Sequence, residues 1–324
     1  MQSIGHYQQI IADYFDGHSF QKEPANLYQP IQYILSLGGK RMRPVLTLMA
    51  ADIFGADCRE ALPAAVAVEI FHNFSLVHDD IMDEAPLRRG HQTVHEKWGL
   101  NTGILSGDAM LILAYRYFET YEPETFRELA KLFSQTALEV CEGQQWDVDF
   151  EQRNDVSQAE YLKMIEYKTA VLVAAAMKMG GIVAKTSKDN CDLIYDFGLN
   201  LGIAFQLQDD YLDAFGDPET FGKQVGGDII ENKKTYLYLK AIEQANPYER
   251  ENLIQWFSVK PEDASDKVVA VKNIFTHTGA DASTRSAIEL YTLKAFDTLE
   301  KTDIGTEKKQ LLREFGKKLM QRKV

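Results

Sequence analysis

The amino-acid sequence predicts an all-α protein: a single-domain bundle of about a dozen helices that spans residues 1–324. Apolar residues recur with a helical period in almost every segment, and strand-like alternation is scarce. Glycine and proline separate the periodic segments. Because 45% of the 324 residues are apolar, the chain can bury a large core, and its length is near the upper limit for one domain.

The helices can be placed in order from this period and from their stop signals. A helix over residues 61–83 should be buried, and Pro86 ends it. An acidic linker, 151–157, precedes a strongly apolar helix that should be central. After the glycine-rich loop 216–227 the helical pattern resumes at Asp228. In chain order up to that loop, the predicted helices cover residues 6–16, the stretch from about Pro24 to Gly38-Gly39, the stretch from GGKRMRP (38–44) to Gly55, and residues 61–83, 101–120, 124–147, 158–185 and 190–215.

Composition limits the classes of function. A formal charge of −13 excludes a general nucleic-acid binder, since a phosphate backbone requires a basic face. The three cysteines are far apart and have neither zinc spacing nor an even-numbered disulfide framework, so we expect a reducing, cytoplasmic environment. The N-terminus resembles neither a signal nor a transit peptide. No apolar run reaches about 18 residues, so we expect no membrane span.

Two acidic triplets of the form Asp-Asp-apolar-apolar-Asp are the most informative feature. The first is Asp79, Asp80 and Asp83, and the second is Asp209, Asp210 and Asp213. At about 100° per residue, the outer aspartates of each triplet lie about 40° apart on a helix, so each triplet places like charges close together. Apolar runs precede both triplets, which is atypical of a solvated helix face. Such clusters suit Mg²⁺, which binds one or two carboxylates together with phosphate oxygens. Two of them facing each other across a cavity could hold several Mg²⁺ ions on a diphosphate.

Basic residues follow the glycine turn and both triplets. Lys40 and Arg43 begin a helix beside Gly38-Gly39, a setting that fits a phosphate site or an ordinary exposed basic turn. Arg88 and Arg89 directly follow the first triplet and could clamp phosphate or pair with the aspartates. Further basic positions are Lys168 beside Thr169, at the start of an apolar stretch, and Lys223, Lys233 and Lys234 after the second triplet. His72 falls near the aspartates on the helical wheel and is either a phosphate donor or a core histidine.

Together these motifs resemble those of the trans-isoprenyl diphosphate synthases, the polyprenyl synthetase family. The matching stretches are GGKRMRP, HDDIMDEAPLRRG, GQQWD (143–147), EYKTA, FQLQDDYLD and GKQVGGDIIENKKT, and they occur in family order between residues 38 and 235. Each stretch alone is a weak signal, but six in order are specific. The resemblance implies an all-α bundle around a deep central cavity, usually as a homodimer.

The resemblance also implies roles for individual residues. Asp79, Asp83 and Asp209 would be the main ligands of Mg²⁺, three ions per site, with Asp80 and Asp213 supporting them. The catalytic set would also include Asp210 and Lys168. Gln144 and Asp147 would support the site. The allylic diphosphate would bind Arg88, Lys168, Thr169, Gln206, Lys223 and Lys233. Isopentenyl diphosphate would bind Lys40, Arg43, His72 and Arg89. The basic C-terminal residues Arg322 and Lys323 could cover the second substrate site, but a helix dipole explains them equally well.

The implied reaction is a head-to-tail condensation. Mg²⁺ and cationic side chains neutralise the leaving diphosphate so that the allylic C–O bond ionises. An apolar cavity excludes water, which would otherwise trap the carbocation. The double bond of isopentenyl diphosphate then attacks, and a proton is lost to the departing diphosphate. The chain contains no Ser/His/Asp signature that would indicate a side-chain nucleophile.

Product length depends on residues below the first triplet. At 1.5 Å per residue, Ser75 and Phe74 lie about 6 and 7.5 Å below Asp79, and Phe71 lies about 12 Å below it. The helical wheel places Ser75 nearer the carboxylate face, so geometry alone does not make Phe74 the floor. In the family, an aromatic residue only at the deeper of the two positions accompanies some geranylgeranyl synthases. The sequence therefore favours a C20 product, with C15 as the alternative.

Three other classes fit less well. A class I terpene cyclase would replace the second triplet by an Asn/Asp, Ser/Thr and Glu triad, but the triplet from Asp209 to Asp213 is intact. A non-catalytic partner subunit of a heteromeric synthase would have degraded acidic motifs. A calcium-binding module would need an alternating Asp-x-Asp-x-Asp-Gly loop, which neither triplet forms.

Overall fold

The computed structural model describes residues 2–217 and 226–320. Within these ranges the chain forms sixteen α-helices and one short β-hairpin, so the prediction of an all-α protein is confirmed. The helices are α1 (Ile4–Gly17), α2 (Ala25–Ser36), α3 (Met42–Ile53), α4 (Leu62–Met82), α5 (Val94–Trp98), α6 (Leu100–Phe118), α7 (Pro123–Gln152), α8 (Gln158–Ile165), α9 (Val171–Val183), α10 (Lys188–Phe215), α11 (Gly227–Ile230), α12 (Tyr236–Gln244), α13 (Pro247–Trp256), α14 (Ser265–His277), α15 (Ala280–Glu300) and α16 (Thr306–Met320).

The chain divides into two compact units. Unit 1 comprises Met1–Gln135 and Ala175–Ile194, and unit 2 comprises Thr136–Ala174 and Tyr195–Val324. The boundaries between the units fall within helices α7, α9 and α10. A single domain over residues 1–324 stays a prediction.

Helix α4 is the core helix of unit 1, and its C-terminal end carries the first acidic triplet. A proline in its first turn supplies the fixed φ that a helix start requires, and Asp83 caps its end. Small residues let α6 pack closely: a Cβ built on Gly107 would overlap the imidazole of His78, which contacts the Ile104 carbonyl at 3.1 Å. By length and composition the stretch Cys58–Met82 could cross a membrane. An 18-residue window within it has a mean hydropathy of 1.2, but 67% of that window is buried inside the protein. A core helix has the same properties.

Unit 2 contains the second acidic triplet, on the last two turns of α10. Its core packs around the α8, α10 and α12 residues Tyr161, Leu207 and Leu237, all buried. Between α8 and α9 the segment Glu166–Ala170 is a π-helix, and it contains both Lys168 and Thr169. Single π-turns of this kind occur often at functional sites.

Three local features differ from the sequence predictions. The helix expected over 158–185 is one continuous helical path, but the π-turn interrupts its hydrogen-bond pattern. Helix α7 extends to Gln152, which shortens the predicted linker. The helix expected from Asp228 lasts a single turn, because Asn232 adopts a left-handed φ of 61° shortly after it. Periodicity does not detect such changes, since each depends on a few backbone angles.

Candidate active site

In the first triplet, the middle aspartate faces the protein interior. Asp80 is 1% exposed, whereas Asp79 is partly exposed and Asp83 is exposed. Arg88 Nη2 lies 2.6 Å from Asp80 Oδ1 and 3.3 Å from Asp79 Oδ2, and Arg88 Nε donates a 2.8 Å hydrogen bond to Asp80. Burial raises the pKa of Asp80, and Arg88 opposes this shift. In this triplet Asp80 is therefore buried and paired with Arg88, Asp79 is partly buried, and Asp83 is exposed to solvent.

A β-hairpin directs the side chains of the two arginines that follow the triplet toward different partners. Strand β1 (Leu87–Arg88) pairs antiparallel with β2 (His91–Gln92). Arg89 and Gly90 form the turn with left-handed φ values of 54° and 77°, a turn for which asparagine and glycine are the usual residues. Arg88 reaches the aspartates, whereas Arg89 donates a hydrogen bond to the carbonyl of Gly38. The hairpin thus sends two consecutive guanidinium groups to two different places.

The glycine turn before α3 accepts the hydrogen bond from Arg89. Gly39 has a φ of 135°, and a Cβ at this position would lie 3.0 Å from the Arg89 guanidinium. Any larger residue would therefore displace Arg89. Lys40 is exposed in the same turn, and Arg43 follows in the first turn of α3. Four predicted ligands of isopentenyl diphosphate thus lie in one unit: Lys40, Arg43, His72 and Arg89.

The contact between Arg43 and His72 determines which nitrogen of the histidine carries its proton. Arg43 Nη1 lies 3.1 Å from His72 Nε2, and because a guanidinium can only donate, Nε2 is the acceptor. Burial lowers the pKa of His72 well below its ordinary value, and Arg43 adds to this effect. His72 is therefore neutral, and only Nδ1 can donate to a phosphate.

A buried carboxylate lies beneath these cations. Glu69 is on α4, one turn before His72 and Asn73, and Asn73 Nδ2 donates to its Oε1 at 3.1 Å. Burial raises the pKa of Glu69, and the charges of Arg43, Arg89 and Arg41 oppose this shift. Sequence reasoning did not select Glu69, although its spacing of three residues before His72 placed both on one helix face.

The residues predicted to limit product length are in unit 1. The Phe74 ring lies 5.4 Å from Phe71 and 4.8 Å from His78, and Phe71 in turn packs 5.0 Å from Phe133 of α7. Ser75 is half-buried, and its hydroxyl donates to the His72 carbonyl at 2.8 Å. Phe74 therefore belongs to a packed aromatic cluster, and the smaller Ser75 lies beside it on α4.

In unit 2, helix α7 contacts the π-turn through Asp147 and Gly143. Lys168 Nζ lies 2.5 Å from Asp147 Oδ2. One turn earlier, a Cβ on Gly143 would overlap the backbone nitrogen of Lys168, so only glycine permits this approach. The motif GQQWD therefore provides the space for Lys168 and also its counter-ion.

A chain of hydrogen bonds joins the π-turn to the second triplet. Thr169 Oγ1 donates to Gln206 Oε1 at 3.0 Å, and Gln206 Nε2 donates to Asp210 Oδ1 at 3.0 Å. Tyr161 donates its hydroxyl to Asp210 Oδ2. Asp210 is 5% exposed, so the middle aspartate again faces inward, while Asp209 and Asp213 are half-buried.

The segment that begins at Gly226 folds back onto the last aspartate of the second triplet. The backbone N–H of Asp228 donates to Asp213 Oδ2 at 2.9 Å, and that of Gly226 donates to the Asp213 carbonyl at 2.6 Å. Burial and the charge of Asp213 raise the pKa of Asp228 to about 7. Lys233 lies five residues further along the chain, and its positive charge opposes this rise in the pKa of Asp228. Asp228 is thus a fourth carboxylate beside the triplet, which sequence reasoning missed although the stretch GKQVGGDIIENKKT contains it.

The structure thus divides the predicted site residues into two sets. Unit 1 holds Lys40, Arg43, Phe71, His72, Phe74, Ser75, Asp79, Asp80, Asp83, Arg88 and Arg89, and unit 2 holds Gln144, Asp147, Lys168, Thr169, Gln206, Asp209, Asp210, Asp213 and Lys233. Lys223, Arg322 and Lys323 lie outside the described residues. Among residues 2–217 and 226–320, no three His, Cys, Asp or Glu side chains form a ready-made metal site. Tyr161, Glu69 and Asp228 are additions from the structure.

Fold and site together define an all-α protein with two acidic clusters, one paired with Arg88 and the other linked by hydrogen bonds to the π-turn that carries Lys168: a class suited to diphosphate chemistry. The family model described as polyprenyl synthetase matches residues 24–274. A solved geranylgeranyl pyrophosphate synthase is 54% identical, covers 100% of both chains and superposes with a TM-score of 0.96. Geranylgeranyl diphosphate synthase of Methanosarcina mazei is 43% identical over 223 residues, 68% of this chain and 69% of the relative. Geranylfarnesyl diphosphate synthase of Natronomonas pharaonis is 37% identical over 321 residues, 93% of this chain and 91% of the relative. The chain belongs to the polyprenyl synthetase family, and it is a prenyltransferase.

Proposed function

We propose that this prenyltransferase condenses isopentenyl diphosphate with an allylic diphosphate, head-to-tail, to geranylgeranyl diphosphate. The observation that carries the proposal is that both acidic clusters are intact: the first is paired with Arg88, and the second is joined through Gln206 and Thr169 to the turn in which Lys168 pairs with Asp147. A terpene cyclase lacks the second triplet, and a non-catalytic subunit has no need of either. The names of the two similar geranylgeranyl synthases support the C20 product.

We propose Mg²⁺ as the metal, three ions per site, with Asp79, Asp83 and Asp209 as its main ligands. The donor set fits, since hard cations prefer carboxylate oxygens. Asp80 Oδ2 is buried without a hydrogen-bond partner, and burial, together with the charge of Asp213, raises the pKa of Asp228, an effect that a bound cation would oppose. When bound, Mg²⁺ supplies Lewis-acid neutralisation of the leaving diphosphate.

Side chains of the protein bind the two diphosphates and add positive charge. Arg88, Lys168 and Lys233 add positive charge where the allylic diphosphate leaves. Lys40, Arg43 and Arg89 hold isopentenyl diphosphate, and neutral His72 donates from Nδ1. The negative charge of Glu69 offsets the charges of Arg43, Arg89 and Arg41, which lowers the repulsion among these cations when substrate is absent. The proton that is lost after attack goes to the departing diphosphate, so no side-chain base is needed.

The length of the product is the finer part of the proposal. Phe74 and its partner Phe71 limit the chain at C20, and Ser75 leaves room for growth beyond C15. A second candidate is the C25 product, because one relative that aligns with most of the chain is named geranylfarnesyl diphosphate synthase. Chromatography of the products made from farnesyl diphosphate distinguishes the three lengths.

We also propose a cytoplasmic homodimer. Helix α6 exposes Leu105 (59%) and Ile112 (60%), which lie seven residues apart and therefore on one face. Such a pair is suited to contact a second copy. Cys58, Cys141 and Cys191 are all free thiols, as expected in a reducing compartment. Sedimentation should give a dimer for the natural chain and a monomer for Leu105→Glu/Ile112→Glu, and a natural chain that sediments as a monomer refutes the assembly.

Turnover of isopentenyl and farnesyl diphosphates with and without Mg²⁺ tests the reaction. We expect diphosphate release only when both substrates and Mg²⁺ are present. Asp79→Asn and Asp209→Asn should each reduce kcat by about 10³-fold or more with the fold retained, because charge stabilisation in the transition state is lost. Asp16→Asn, at an exposed carboxylate of α1, is the matched control. Near-normal turnover in either cluster variant contradicts the proposal, as does diphosphate release without isopentenyl diphosphate.

A further inference from the structure

We infer that Tyr161 is a positioning residue for the second acidic cluster: its hydroxyl anchors Asp210 and thereby sets the direction in which Asp209 and Asp213 face. The inference rests on the proposed function, because it assigns the cluster to Mg²⁺ and diphosphate. Tyr161 lies outside the sequence motifs that link the chain to its family. It acts through Asp210.

The first step of the argument is that both oxygens of Asp210 have internal donors. Tyr161 donates to Oδ2, and Gln206 Nε2 donates to Oδ1 at 3.0 Å. Asp210 is 5% exposed and Tyr161 is 4% exposed, so solvent cannot replace a lost donor. An aspartate held at both oxygens keeps one rotamer.

The second step is helix geometry. Successive residues on a helix lie about 100° apart, so Asp209 and Asp213 are turned about 100° and 60° from Asp210, both to the same side. Anchoring Asp210 toward the interior therefore presents the two neighbours together on an adjacent face. The first cluster has the same design, with Asp80 buried and held by Arg88. There the donor is a charged side chain, and in the second cluster it is a tyrosine.

The third step is that Tyr161 is itself held rigidly. It lies in the first turn of α8, whose N-terminus has a reciprocal capping box between Ser157 and Glu160. Its ring packs in the core of unit 2, with the Tyr236 ring 6.4 Å away. The π-turn that follows α8 carries Thr169, which reaches Asp210 through Gln206. The same helical segment thus approaches Asp210 by two routes, one direct and one through Gln206.

The test removes only the hydroxyl. In Tyr161→Phe, we expect the affinity for inorganic diphosphate in the presence of Mg²⁺, measured by calorimetry, to fall at least about 10-fold, the size of effect expected when a group that orients metal ligands is lost. The Mg²⁺ concentration for half-maximal rate should rise similarly, while KM for isopentenyl diphosphate should stay within about twofold.

Tyr7→Phe is the matched control, because it also removes a buried tyrosine hydroxyl from an aspartate: Tyr7 donates to Asp52 Oδ2 at 2.5 Å in unit 1. It should lower the melting temperature without changing diphosphate or Mg²⁺ affinity. If Tyr161→Phe behaves like Tyr7→Phe, the hydroxyl is only structural and the inference is overturned.

A double-mutant cycle with Asp210→Asn tests directly whether the effect of Tyr161 acts through Asp210. In Asp210→Asn, the anchored charge is already absent, so adding Tyr161→Phe should change Mg²⁺–diphosphate affinity by less than about twofold. Full additivity of the two losses refutes the anchoring. Binding by the natural chain distinguishes a failure of the proposed function from a failure of this inference. If the natural chain binds no Mg²⁺–diphosphate, the proposed function fails. Unchanged binding in Tyr161→Phe refutes only the role of Tyr161.

Discussion

Lys168 Nζ lies 2.5 Å from Asp147 Oδ2, and the backbone of Lys168 packs against Gly143, one helical turn before Asp147. The π-turn that carries Lys168 is therefore held by α7 at two points, through backbone contact and through an ion pair. A lysine beside an apolar helix needs such a partner, because its ammonium loses water there.

Gly143→Ala should disturb this contact, because the added Cβ overlaps the backbone nitrogen of Lys168. We expect the free energy of unfolding to fall by about 1–3 kcal/mol, as for other overpacked sites, and KM for the allylic diphosphate to rise about 10-fold. Denaturant melts and initial rates check both. Gly17→Ala, where a Cβ meets nothing within 4 Å, is the control. An unchanged KM in Gly143→Ala means that the α7 contact does not position Lys168.

Arg88→Lys tests the anchor of the first cluster. Arg88 contacts Asp80 through Nε and Nη2 and Asp79 through Nη2, a fork that one ammonium cannot reproduce. We expect kcat to fall at least about 10-fold while the circular dichroism spectrum and the melting temperature change little. Arg59→Lys, at an exposed position of unit 1, is the comparison. Full activity in Arg88→Lys is incompatible with a bidentate role.

The two diphosphates should depend on separate cations. Lys40→Ala should mainly raise KM for isopentenyl diphosphate, because Lys40 belongs to the turn that receives Arg89. Lys168→Ala should mainly raise KM for the allylic substrate, because Lys168 lies beside the Thr169–Gln206 chain. Initial rates with one substrate varied at a time provide the measurement. Equal effects on both substrates in both variants contradict the separation.

Product length should follow the size of two side chains on α4. Ser75→Phe should shorten the main product toward C15, because it adds a ring beside Phe74. Phe74→Ala should lengthen it, because it opens the aromatic cluster with Phe71 and Phe133. Chromatography of dephosphorylated products checks both. If neither variant changes the distribution, another helix, such as α6, forms the floor.

Acid should destabilise the protein through His72. Its folded-state pKa is well below the ordinary value of 6.5, so the folded state binds fewer protons than the unfolded state as the pH falls through and below 6.5. The stability from neutral His72 is present above pH 6.5 and is lost progressively below it. Denaturant melts between about pH 7 and 5 should show a smaller loss for His72→Asn than for the natural chain. The partly exposed His6 offers a comparison substitution, and equal slopes in all three proteins would exclude this role for His72.

Much of the fold and of the site could be predicted from local sequence. The helical period predicted α1 to α4 and α6 to α10, with α8 and α9 as one helix, because each buries one face, and Pro86 and the glycine pair at 38–39 mark real ends. It did not predict the short helix α5. The spacing of each triplet placed its outer aspartates together because residues four apart share a helix face. These properties depend on neighbours within two turns, and the sequence contains all of that information.

Only the tertiary structure decided which aspartate of each triplet turns inward and what holds it. Asp80 meets Arg88 because a hairpin with left-handed Arg89 folds back, and Asp210 meets Tyr161 because α8 packs against α10. The π-turn at Lys168 follows likewise from the close approach of Gly143. Such contacts join residues that are far apart in the chain, and their energies depend on burial, which no local pattern specifies.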